Sequence, residues 1–193
     1  MEREIVSNII QIDFAPGALD PSMFDLDYLL DEKFVNEKKI PLQYERTTKL
    51  NSTIKFKNES KDSIAITTHS IRIQSKDLES VKSLYTLAQV KYPNADIIRV
   101  EFRKNEHFVE KDLPVRILGD FRSNDKFKLD YTQYVNDPFK MAIYSCTEDT
   151  IHVLISGVMQ FKADLQDLDY EDLLSRTDFD KTYIDFLKFN KLL

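Results

Sequence analysis

The sequence predicts an α+β fold: a mostly antiparallel sheet carrying a long amphipathic helix and a C-terminal helix, in a single domain over residues 1–193. Three observations carry this. Apolar side chains alternate with polar ones along several segments, as where Ile10, Ile12 and Phe14 oppose Gln11 and Asp13. Leu78, Val81, Leu84, Tyr85 and Ala88 recur at helical spacing between a capping Asp77 and the stop Tyr92-Pro93-Asn94. Near the end, Phe179, Tyr183, Phe186, Leu187 and Asn190 fall on one side of a second helix. The thirteen Phe and nine Tyr, with no Trp, favour pleated surfaces and add weight to the sheet.

Taken in order, the first strand ends at Pro16-Gly17. A helix is expected from about Asp20 to Val35, with Pro21 in its first turn and Met23, Leu26, Leu30 and Phe34 at helical spacing. Leu42 to Phe56 is β-rich, with a break at Asn51-Ser52, and the polar run Asn58–Ser63 marks a turn. Ile64 and Ile66 then switch parity against Ile71 and Ile73, which calls for a tight bend or bulge over Thr67–Ser70. After the helix, Ile98, Val100 and Phe102 form one strand face. Glu106 to Asp125 reads as irregular, with one short strand at Val115–Leu118, and Phe127, Leu129 and Tyr131 alternate again. Lys140–Cys146 and Ile151–Phe161 make a hairpin about Thr147–Thr150, with Gly157 permitting a bend. A short helix at Asp169–Leu174 precedes the last one, which Asp178 is expected to cap. No internal repeat is visible.

Composition excludes more chemistry than any motif suggests. Gly17, Gly119 and Gly157 stand far apart, so no phosphate loop or dinucleotide fingerprint exists. A net charge of -6 argues against a general nucleic-acid binder. The adjacent basic pairs Lys38-Lys39 and Arg103-Lys104 read as solvated. Cys146, in an apolar run, reads as a buried thiol, and a lone cysteine fits a reducing, cytoplasmic setting. No secretory signal and no stretch of about 20 apolar residues is present, so no membrane partner is expected.

The constellation nearest to an active site is Asp96 and Glu101 with Arg103-Lys104. Restriction-type nucleases hold Mg²⁺ between strand carboxylates and use a lysine beside them. Here Arg103 occupies the position two residues after Glu101, and arginine does not serve as a base. The acids Asp164, Asp167, Asp169, Glu171, Asp172, Asp178 and Asp180, with Asp25, Asp27, Asp31 and Glu32, lack the turn glycine of a calcium loop and suit helix starts and solvent. His69, His107 and His152 are scattered, with His152 expected on the exposed face of its strand. No metal or cofactor is expected.

Ile9-Ile10-Gln11-Ile12-Asp13-Phe14-Ala15-Pro16 resembles the first strand of SecB-type chaperones, where an apolar run leads to an acid, a Phe and an Ala-Pro pair. The order of strands, long helix and C-terminal helix is also similar. The resemblance implies a non-enzymatic, chaperone-like protein holding unfolded or partner polypeptide along apolar grooves; such relatives also serve toxin–antitoxin systems. The chain departs from that pattern in its length, in the helix expected at Asp20–Val35 and in the irregular Glu106–Asp125 stretch, and no binding residue is carried over.

Together these readings favour a non-enzymatic protein- or peptide-binding protein acting through an apolar groove and strand edges, with self-association through the sheet as a further expectation. A small metal-dependent nuclease or hydrolase using Asp96 and Glu101 is the alternative from another class. A permanent structural subunit of a larger assembly is the third.

Overall fold

The computed structural model describes residues 2–23, 45–48, 53–58, 60–109, 128–130, 133–145 and 150–193. They form one ten-stranded sheet in which every pairing is antiparallel, with helices packed on it: an α+β fold. The strands are β1 (Glu2–Phe14), β2 (Glu45–Thr48), β3 (Thr53–Lys57), β4 (Ser63–Thr67), β5 (Ser70–Ser75), β6 (Asp96–Val109), β7 (Lys128–Asp130), β8 (Gln133–Asn136), β9 (Phe139–Ser145) and β10 (Thr150–Asp164). The helices are α1 (Leu78–Lys91), α2 (Tyr170–Thr177) and α3 (Phe179–Phe189). No helix among the described residues is long and apolar enough to cross a membrane.

Across the sheet the order is β2-β3-β4-β5-β1-β6-β10-β9-β8-β7. The chain therefore runs the same course twice. A long strand (β1, then β6) is followed by four strands, the last of which returns to pair with it, and then by helix. The two halves join at the antiparallel β1–β6 pair, where Ile10 lies opposite Phe102 and Ile12 opposite Val100. The alternation in each strand carries this topology, so the repeat survives without a matching residue sequence.

One sheet face is dry. Ile10, Ile12 and Phe14 of β1 and Ile71 and Ile73 of β5 lie there beneath α1, whose Val81, Leu84, Tyr85 and Ala88 join the same core, with Val100 and Phe102 of β6 alongside. Asp77 caps α1: its carboxylate accepts from the Ser80 amide at 2.9 Å, and Tyr92 followed by Pro93 ends the helix. Asp77→Ala is expected to cost about 1 kcal/mol of unfolding free energy in a urea titration. Burial pushes the Tyr85 hydroxyl up, and that hydroxyl donates to the Leu168 carbonyl at 3.0 Å, tying α1 to the segment before α2.

The second half is covered by α3. Phe179 packs on Phe102 (centroids 5.1 Å apart) and Phe139 (5.9 Å), and Phe186 meets Tyr134 edge-on at 5.1 Å. Asp178 does not cap α3 as expected. It sits at φ 51° without a side-chain cap bond, as the left-handed link that turns α2 into α3.

The Thr67–Ser70 bend is a tight turn, with Thr67 Oγ1 accepting from the Ser70 amide at 2.9 Å. Glu106 does not begin an irregular stretch, because β6 runs on to Val109. Of the helix expected over Asp20–Val35, only Pro21–Met23 is described, as a single 3-10 turn. The rest of that segment, the Asn51-Ser52 break, the Val115–Leu118 strand, Lys38-Lys39, Cys146 and the acids between Asp25 and Glu32 lie outside the described residues.

Candidate functional site

β10 is the longest of the described strands, at 15 residues, whereas β9 beside it has 7. Their pairing runs from Ile151↔Ser145 to Gly157↔Phe139 and stops. From Val158 to Asp164, β10 is bonded to β6 on one side, and among the described residues no strand pairs with its other side. An antiparallel strand directs alternate backbone N–H and C=O pairs to each side, so this stretch has a row of donors and acceptors that no described strand takes up.

The same stretch is irregular in register. β10 shifts against β6 between Gln160 and Ala163, and β6 shifts against β1 between Asp13 and Phe14. Extra residues in a paired strand bend it and raise its twist. A cavity of about 740 Å³ opens at this place, lined among others by Ile98, Gln160, Phe161 and Ala163. Its surroundings are apolar and partly wet: Ile98 is 48% and Val158 41% exposed, while Met159, Phe161 and Ala163 are half-buried against the core.

One end of the cavity is acidic. Asp96 lies directly opposite Asp164 in the β6–β10 register, and Asp167 follows in the 3-10 turn Leu165–Asp167. The Asp96 carboxyl beside it holds the Asp164 carboxyl above its ordinary range, and burial and the Asp167 charge add to this. Among the described residues no Lys or Arg forms an ion pair with any of the three. Like charges directly opposed across strands are destabilising, so this end is electrostatically unfinished.

β1 also overhangs its neighbour, from Glu2 to Ser7 beside the end of β5. That edge is guarded. Arg3 is clamped by Glu106 through bonds of 2.7 and 2.8 Å, and Glu4 pairs with Lys76 at 3.3 Å. Charge on an edge blunts pairing with other chains. The β10 edge carries Lys162 and, at its end, Asp164, and among the described residues neither forms an ion pair.

The remaining sequence candidates do not converge. Asp96 and Glu101 are five residues apart on one strand, about 16 Å by strand rise. Glu101 is engaged on the sheet face away from the helices with Arg103 at 2.6 Å, beside a second pair, Arg99 with Asp13 at 2.6 Å. Lys104 points the other way and is buried, 5.3 Å from the Tyr183 ring centroid and 3.5 Å from Asp180. Asp169 caps α2 by accepting from the Asp172 amide at 2.7 Å. No group of three or more His, Cys, Asp and Glu among the described residues is placed to hold a metal.

Two histidines do meet. His107 and His152 are register partners on β6 and β10, with ring centroids 3.6 Å apart, so His152 is half-buried rather than exposed. Burial, then the neighbouring His107, lowers the His152 pKa and favours its neutral form.

Sequence reasoning missed the buried polar cluster on the helix side. Glu106, fully buried, accepts from Nε and Nη2 of Arg3 and from the Tyr183 hydroxyl at 2.7 Å. The alternation Val100, Phe102, Lys104, Glu106, Phe108 was the available signal. It marks Lys104 and Glu106 as inward positions occupied by charge.

No model of a protein family matches the chain, and a search of curated proteins finds no match either.

Proposed function

We propose that the protein is a non-enzymatic binding module that takes an extended polypeptide segment as an additional strand along Val158–Asp164 of β10. The observation that carries this is the edge itself: seven residues of β10 that no described strand pairs on one side, beside a cavity lined in part by half-buried Phe161 and Ala163. Strand addition draws affinity from backbone hydrogen bonds and selectivity from pockets for alternate side chains. A cavity with Ile98, Phe161 and Ala163 in its lining beside such an edge suits that division of labour. The likeness of Ile9–Pro16 to the first strand of SecB-type chaperones is in keeping with polypeptide binding. Membership of a larger assembly would use the same edge, held permanently.

The reading is tested by hydrogen exchange with a ten-residue peptide of alternating Val and Gln at saturating concentration. Amides of Val158–Asp164 are expected to gain protection, while those of Glu2–Ser7 stay unchanged. Unchanged exchange over Val158–Asp164 would sink the reading. Phe161→Asp is expected to weaken this peptide by roughly tenfold, the loss of one buried aromatic anchor.

A further inference from the structure

We infer that the segment received by β10 is cationic: an extended stretch that seats an apolar side chain in the cavity and sets Lys or Arg against Asp96, Asp164 and Asp167. This rests on the reading of β10 as a docking edge and adds the chemistry of its occupant.

Asp96 and Asp164 are opposed across β6 and β10, with Asp167 close enough to act on Asp164 electrostatically. Nothing among the described residues neutralises them by an ion pair. Isolated acids on a surface need no partner. Acids set face to face across a strand pair carry a standing repulsion that an incoming cation removes. The gain is therefore realised only when the edge is occupied by a segment of the right charge.

Geometry places that cation within reach. A strand added beside β10 lies about 4.8 Å from it, and its side chains alternate between the two faces. A residue opposite Asp164 is within the span of a Lys or Arg side chain, and one a few positions along reaches Phe161 and Ile98 at the cavity.

A second copy of this chain fits less well. It would bring its own Asp96, Asp164 and Asp167 with each Lys162, adding negative charge to an acidic site in a protein already at -6. The register shift at Phe161–Lys162 and the exposed Lys162 also blunt pairing between identical edges.

The test compares three fluorescein-labelled ten-residue peptides with Val at alternate positions and Lys, Gln or Glu between them, titrated by anisotropy at low and high salt. The Lys peptide is expected to bind roughly three- to tenfold tighter than the Gln peptide at low salt, with the Glu peptide weakest and the difference shrinking in salt. Asp96→Asn with Asp164→Asn is expected to abolish the Lys preference and leave the Gln peptide unchanged. Glu79→Gln with Asp172→Asn, an equal charge change on the helix side, is expected to leave the preference intact.

Equal binding of the Lys and Gln peptides to the native protein would overturn the cationic occupant while leaving the docking edge standing. Loss of preference in the helix-side variant as well would overturn it too, by showing a general charge effect. Binding of all three peptides unaffected by Phe161→Asp would instead remove the edge itself. A homodimer in light scattering that Phe161→Asp converts to monomer would assign the edge to a second copy.

Discussion

Glu106→Ala is expected to lower the unfolding free energy by about 2–4 kcal/mol in a urea titration. The carboxylate is wholly buried and is shared by Arg3 of β1 and Tyr183 of α3. Truncation strips the Tyr183 hydroxyl of its acceptor, and leaving a buried donor unpaired costs about 1–3 kcal/mol. It also releases the Arg3 guanidinium, but that side chain is 35% exposed and rehydrates, so the loss stays below the upper limit for a buried pair. Burial and the Glu106 charge both push the Tyr183 hydroxyl up, so it remains an obligate donor across the ordinary pH range. Glu106→Gln keeps an acceptor for Tyr183 and loses the charged fork to Arg3, which places it between the two. A loss under about 1 kcal/mol for Glu106→Ala would mean that β1 and α3 are held by their apolar contacts alone.

Glu106 also shows where the sequence stops being readable. Ile10, Ile12 and Phe14 announce β1 because the inward positions are all apolar, and the Asp77 cap with Pro93 brackets α1 by local chemistry. In β6 the inward series is Val100, Phe102, Lys104, Glu106, Phe108. Two charges in the middle of that face read as the end of a strand. They are tolerated only because α3, some eighty residues later, brings Tyr183 and Asp180 to meet them, together with Arg3 from the far end of the chain.

The edge of β10 beyond Gly157 is hidden for a related reason. The alternation of β10 reveals a strand, but which residues remain unpaired depends on where β9 ends, and pairing partners are set by topology rather than by local pattern. In the sequence Asp96 stands near Glu101 on the same strand. Its actual neighbour is Asp164, which no spacing rule connects to it. The repeated course of the two halves is invisible for the same cause, since alternating strands match one another at almost any residue identity.

Gly157 marks the point at which β9 leaves β10, and its substitution carries the second large effect. Gly157→Ala is expected to cost about 1–3 kcal/mol, with Gly157→Val costing more. A Cβ built at this position lies 2.5 Å from Cδ1 and 2.6 Å from Cε1 of Phe139, its register partner, well inside contact distance. The glycine is there for space: the Phe139 ring lies across it and continues onto Phe179 of α3. That ring cannot retreat freely, because Phe139 is buried between the sheet and the helix. A double-mutant cycle isolates the cause. Phe139→Ala is expected to cost about 3–5 kcal/mol alone and to absorb most of the added cost of Gly157→Ala. Full additivity of the two changes would place the strain in the β10 backbone instead. It would then be carried straight into Val158–Asp164, and the Gly157→Ala protein would lose peptide affinity along with stability.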